Sequence, residues 1–182
     1  MPYSSESLVI PRKLENETGM EGAIFIGDTW NLSDKLTVDY GTRVSMFKSD
    51  KTYVNPKIRL SGRYLISDNW SVKGGFNSMT QYIHMLSNTV SVSPTDTWKL
   101  SDKDIKPQTG WQLAAGVYTT TGQHNIDISI EAYYKRMKNY LDFKSGATLL
   151  MNPNVADDVV GTQGKAYGIE LMAAKPLGKL NG

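Results

Sequence analysis

The sequence predicts an all-β chain: an antiparallel up-and-down transmembrane β-barrel, present here as a partial barrel of about seven strands. Three observations predict it. Apolar and polar residues alternate with period two along the chain, and apolar residues rarely recur at helical spacing. Most alternating runs reach the ~9–11 residues that a tilted strand needs to cross a bilayer, whereas soluble strands centre on ~5–6. Short and long connections alternate, which in an up-and-down sheet gathers the short turns at one end.

The first strand is expected over 22–31, "GAIFIGDTWN". In the second, 36–46, Leu36, Val38, Tyr40, Val44 and Met46 oppose Thr37, Asp39, Arg43 and Ser45. The third, 57–66, sets Ile58, Leu60 and Tyr64 against Arg59, Ser61 and Arg63. The fourth, 70–79, sets Trp70, Val72 and Phe76 against Ser71, Lys73 and Asn77. The fifth, 109–120, groups Trp111, Leu113, Ala115 and Val117. The sixth, 125–143, is "NIDISIEAYYKRMKNYLDF", where Ile126, Ile128, Ile130 and Tyr134 oppose Asp127, Ser129, Glu131 and Lys135. Its alternation breaks at "KRMKNY", where the strand is expected to leave the bilayer and become a loop stem. The seventh, 165–175, sets Tyr167, Ile169 and Leu171 against Gly168 and Glu170.

Short turns are expected at 32–35, 67–69 and 121–125, all rich in Ser, Asp, Asn and Gly. Longer links are expected at about 47–56, 80–108 and 144–164. Trp30 and Trp70 flank short turns, while Trp111 and Tyr167 fall near long-loop ends. Aromatic rings suit both water–lipid boundaries. Mid-strand glycines such as Gly74, Gly75 and Gly116 are read as aids to curvature.

Composition removes other classes. A net charge of +2 with no dense basic run gives no case for nucleic acid. With no cysteine, disulfides and thiolate metal sites are excluded. The mean hydropathy of −0.38 looks soluble, but barrels alternate lipid- and lumen-facing residues and stay low on that scale. The first residues lack the pattern of a secretory signal peptide, and seven strands do not close a barrel. The expectation is a piece of a larger barrel: a loop segment at 1–20 and the partial barrel at 21–182, without plug domain or closing strands. The competing readings are a passive porin-like or adhesin barrel and a soluble β-rich binding module with one wet face.

Segments 53–88, 93–118 and 126–150, with "GKAYGIELMAAKPLGKLNG" at 164–182, resemble the barrel of TonB-dependent outer-membrane receptors. The most specific words are "KPQTGWQ", "AYYKRMKNYLDF" and "KAYGIEL". The resemblance implies a barrel of about twenty-two strands with a plug in its lumen. It also implies outer-membrane lipid around the wall, a small solute caught by extracellular loops, and import driven by a TonB–ExbB–ExbD complex. Neither enzymatic activity nor a cofactor is expected.

Candidate site residues follow from the faces. Asp39, Arg43, Arg59, Arg63, Lys73, Asp127, Glu131, Lys135 and Glu170 should line the lumen wall or touch the plug. Tyr82, Trp98 and Asn154, in the long links, could contact a solute. His84 is assigned to a loop base and His124 to a solvated turn, because no nucleophile elbow accompanies them. The Asp157–Asp158 pair lacks the ligand spacing of a calcium loop.

Overall fold

A computed structural model describes residues 16–86, 97–121, 126–144 and 155–176. Its main element is one antiparallel sheet of seven strands. These are β1 (Met20–Ser33), β2 (Leu36–Lys48), β3 (Thr52–Ser67), β4 (Trp70–Gln81), β7 (Gln108–Thr121), β8 (Ile126–Phe143) and β9 (Val159–Ala174). They lie in that order, each hydrogen-bonded to its neighbour in the chain's path. Between β4 and β7 a second sheet is inserted, the hairpin of β5 (Ile83–Leu86) and β6 (Thr97–Leu100). A single helical turn, α1 (Val155–Asp158), precedes β9.

All seven expected strands are present, and several are longer than expected. β3 starts at Thr52 rather than at 57, so the link to β2 shrinks to residues 49–51. The expected long link at 47–56 is therefore corrected to a tight turn, closed by a Ser49 N–H bond to the Lys51 carbonyl at 3.1 Å. Pro56 does not break β3. The Ile58 N–H bonds the Ser78 hydroxyl at 2.8 Å, towards β4. Pro56, two residues earlier, faces the same way, beyond Arg59 where the β3–β4 ladder ends. Its missing N–H thus costs no ladder bond.

The turn at the other end of β1 and β2 shows why short links suffice. The Ser33 hydroxyl accepts from the Leu36 N–H at 3.1 Å, and the Lys35 carbonyl accepts from the Leu65 N–H at 2.7 Å. β8 carries the one positive-φ non-glycine residue among the described residues. Asn139 adopts φ 56°, and the β8–β9 register slips between Lys138 and Tyr140. This bulge is where the sequence alternation fails.

The sheet has two unlike faces. One carries Ile24, Ile26, Val44, Ile58, Leu60, Leu113, Ile130, Ile169 and Leu171, all exposed. The other carries Ser45, Ser71 and Ser129, which are buried, and charged residues such as Arg43, Arg63, Lys73, Glu131 and Glu170. Among the described residues the buried hydrophobics are few. Phe47, Tyr82, Leu86, Ile105 and Val159 all gather at the long-link end around the β5–β6 hairpin. Among the described residues no second layer covers the apolar face, which leaves a large contiguous apolar surface exposed.

Candidate functional site: a charge-sorted wall and a clamped loop

The cross-strand register puts all nine predicted wall residues on the polar face. Arg63 lies opposite Lys73, Lys73 opposite Gly116, Gly116 opposite Glu131, and Glu131 opposite Glu170. These residues form one row across five strands: two cations, a glycine, two carboxylates. Further along, Arg43 is opposite Lys57, and Arg59 lies two residues from Lys57 on β3. The face is thus sorted, basic over β2–β4 and acidic over β8–β9. Asp39 and Lys135 are the exceptions. Asp39 is held by the hydroxyls of Thr29 at 2.6 Å and Ser61 at 3.3 Å, and Asp127 by that of Thr120 at 2.7 Å.

Across this face like charge faces like: Arg43 and Lys57, Arg63 and Lys73, Glu131 and Glu170. None of the ion pairs found among the described residues lies between the nine; both belong to Lys99 in the loop. Tyr118 stands between unlike charges of the row. Lys73 Nζ sits 4.1 Å from the Tyr118 ring centre, and the Tyr118 hydroxyl lies 3.2 Å from where a Cβ on Gly116 would stand. Gly116 makes the room. A Cβ there would meet Glu131 Cγ at 2.8 Å and the Ile130 carbonyl at 2.9 Å. Over β1–β4 the same face forms a trough of about 770 Å³ lined by Thr29, Asp39, Arg43, Lys57 and Arg59.

On the apolar face, aromatics group at two levels. Trp30 packs edge-on against Tyr40 at 5.2 Å, near the short-turn end of their strands. Phe76, Trp111, Tyr134 and Tyr167 form a row over β4, β7, β8 and β9, with successive centroids 6.3, 5.4 and 6.5 Å apart. Tyr134 and Phe76 were not singled out for this role from sequence; Tyr134 fills the line between Trp111 and Tyr167, and Phe76 extends it onto β4.

The loop between β4 and β7 is clamped onto the wall. Tyr82 is 3% exposed. Its ring stacks on Phe47 at 4.7 Å, and its hydroxyl lies 3.2 Å from Ser45 Oγ and donates to Asn55 Oδ1 at 3.0 Å. Tyr82 is therefore placed inside the clamp rather than on a solute-facing surface. Tyr53 Oη donates to the Asp102 carbonyl at 2.6 Å, and Ser49 Oγ to the Ser101 carbonyl at 2.7 Å. Asn139, at the bulge, donates to the Pro107 carbonyl at 3.0 Å. Trp98, 64% exposed, is presented outward. Asn154 and His124 lie outside the described residues.

His84 is buried, with Nε2 2.9 Å from Ser101 Oγ. Burial pushes its pKa down, against an opposing pull from Asp102. Ser101 is fully buried and Asp102 is engaged by Lys99 at 2.9 Å, so this Ser–His contact is packing and offers no nucleophile to a substrate. Burial alone would raise the Asp102 pKa; hydrogen bonds from the Ile105 N–H and Lys99 outweigh it and hold the carboxyl low. Burial would lower Lys99, but its bonds to Glu17 and Asp102 raise it. Asp157 and Asp158 lie in α1, where their carbonyls accept from Lys144 Nζ at 2.6 Å and the Lys144 N–H at 2.8 Å. No cluster of three or more potential metal ligands occurs among the described residues.

Comparison with known proteins matches this architecture. The chain resembles the ferripyoverdine receptor of the outer membrane of Pseudomonas aeruginosa, solved with ferripyoverdine bound, at TM-score 0.61 and 14% identity over 89% of this chain. The same receptor, FpvA, bound to a heterologous pyoverdine gives 0.60 and 13% over 88% of this chain. The FpvAI–pyocin S2 complex gives 0.60 and 13% over 89%. In each case the chain spans 21% of the matched chain. No curated protein matches significantly. At these identities the likeness concerns the fold. The family model "TonB dependent receptor-like, beta-barrel" matches residues 3–181, and the chain therefore belongs to the TonB-dependent receptor β-barrel family.

Proposed function

We propose that this chain is part of the barrel wall of an energy-coupled receptor that takes up a scarce solute across the Gram-negative outer membrane. One observation carries the reading: an exposed apolar face, continuous over seven strands, backs onto a charge-sorted polar face. Lipid is the environment that suits the first face, and a lumen with a polar occupant suits the second. The aromatic groups then mark the two membrane boundaries, with the long links on the extracellular side. In this reading the nine wall charges seat the plug domain of the full-length protein. Trp98, on the clamped hairpin, and Asn154 are the solute contacts, while Tyr82 sets the hairpin's position. Coupling runs through TonB, ExbB and ExbD, and the barrel performs no bond-making chemistry.

The solved relatives are receptors bound to ferripyoverdine, a heterologous pyoverdine and pyocin S2. An iron–siderophore chelate is accordingly the first solute to test, ahead of cobalamin, glycan and peptide. The full-length receptor, expressed in a host lacking its own siderophore receptors, should accumulate radiolabelled iron from at least one chelate. That accumulation should require TonB and stop when the proton gradient is collapsed. Uptake unchanged without TonB would instead establish a passive porin.

A further inference from the structure

Just beyond the aromatic row, the apolar face turns basic. Arg136 lies directly between Trp111 on β7 and Lys165 on β9, and Lys138 lies between Thr109 and Gln163. Arg136, Lys138 and Lys165 share the face of Tyr134 and Tyr167, by the two-residue period of the strands. Arg136 and Lys165 are opposite in register, where like charges repel. The residues around them on this face, Thr109, Trp111, Gln163 and Tyr167, include no carboxylate. Arg136 is nonetheless held in place: its Nη2 donates to Gln163 Oε1 at 3.1 Å. Its Nε is buried with no hydrogen-bond partner among the described residues.

We propose that Arg136, Lys165 and Lys138 bind the phosphorylated headgroup of an outer-leaflet glycolipid. The inference rests on the membrane orientation given above. An aromatic row marks the hydrocarbon boundary, and the next position outward is the level of the headgroups. An anion there turns the Arg136–Lys165 repulsion into two attractions, and a guanidinium fixed by Gln163 is ready for charge-assisted bonds to phosphate oxygens. The polar face of the same strands does not compete for the lipid, because it looks into the lumen.

The test uses the full-length receptor in detergent, with heat-modifiable gel mobility as the check that each variant is folded. Binding of bisphosphorylated lipid A, of dephosphorylated lipid A and of inorganic phosphate is measured by native mass spectrometry. The R136Q/K165Q double variant should lose about tenfold or more in affinity for bisphosphorylated lipid A, the scale of one to two lost charge-assisted contacts. K165Q alone, a change at an exposed side chain, should show part of that loss. K106Q, an exposed cation in the clamped loop, should bind as the parent does. Dephosphorylated lipid A should bind the parent as weakly as bisphosphorylated lipid A binds the double variant. Equal binding of the two lipids, or a folded double variant with parental affinity, overturns the proposal. Displacement of the lipid by inorganic phosphate would make this a free-phosphate site and overturn the lipid assignment. Failure of the receptor reading looks different: the protein would stay monodisperse without detergent and bind none of the lipids.

Discussion

Tyr82 stacks on Phe47 with ring centroids 4.7 Å apart and planes within 5°. One residue belongs to the loop between β4 and β7, the other to the wall strand β2. Their contact converts a long excursion of chain into a fixed shelf that displays Trp98.

Removing the Tyr82 ring should release that shelf. Tyr82→Ala deletes a buried aromatic and leaves Ser45 and Asn55 without their shared partner, a loss of about 3–5 kcal/mol locally. Amide exchange over 97–107 should accelerate sharply while exchange in the β7–β8 ladder stays slow. Tyr82→Phe keeps the stack and loses only the hydroxyl, so its effect should be about 1–2 kcal/mol.

The same loop should respond to acid. His84 is buried, and its pKa lies below the ordinary value of 6.5. The open loop therefore binds a proton more readily than the clamped one, and clamping is fully favoured above that value. It weakens as the pH falls below 6.5 towards the lowered value. Asp102, held below its ordinary 3.8, adds a second loss only in stronger acid. Protection factors at residues 97–107, corrected for the intrinsic slowing of amide exchange in acid, should fall between neutral and mildly acidic pH, and His84→Gln should flatten that fall. An unchanged profile in the variant would assign the response to other groups.

Gly116 is a site where a side chain cannot be added. A Cβ would lie 2.9 Å from the Ile130 carbonyl, and backbone cannot move aside cheaply. Gly116→Val should cost about 1–3 kcal/mol in urea unfolding of the detergent-solubilised full-length protein. Gly22, with open space around its Cβ position, should accept alanine without loss.

Charge reversal tests the proposed occupant of the lumen. Lys73→Glu puts a carboxylate beside Tyr118 and Glu131 and removes a cation from the basic territory. If an acidic plug surface sits there, the variant should loosen the plug and raise permeability to bulky antibiotics. Lys73→Arg should not. Equal permeability in both variants would leave the wall without a plug contact at this position.

The sheet was legible because both of its faces are chemically committed. Each of the nine wall charges lies on the face that alternation assigned, since one misplaced residue shifts a whole strand to the other side. The start of β3 was missed because Pro56 reads as a strand breaker, and only the register shows that its missing N–H faces an unladdered side. The β5–β6 hairpin was missed because each strand has four residues, too few for a period to register. The signal was faint but present: Tyr82, His84 and Leu86 alternate with Ile83 and Met85, and the first three are the buried ones. The like-with-like pairing was invisible because it depends on which strands neighbour each other, and sequence gives only which side a residue faces.

The central claim is that the apolar face meets lipid, and Glu170 and Leu171 test it most directly. They are adjacent on β9, on opposite faces, and both are exposed, Leu171 at 75%. Arginine is placed at each in turn in the full-length protein, and unfolding free energy is measured in lipid bilayers. Leu171→Arg should cost about 2–4 kcal/mol if that position lies near mid-bilayer, and Glu170→Arg, opposite Glu131, close to nothing. A small, equal cost at both positions would mean that water bathes both faces, and the barrel account would fail.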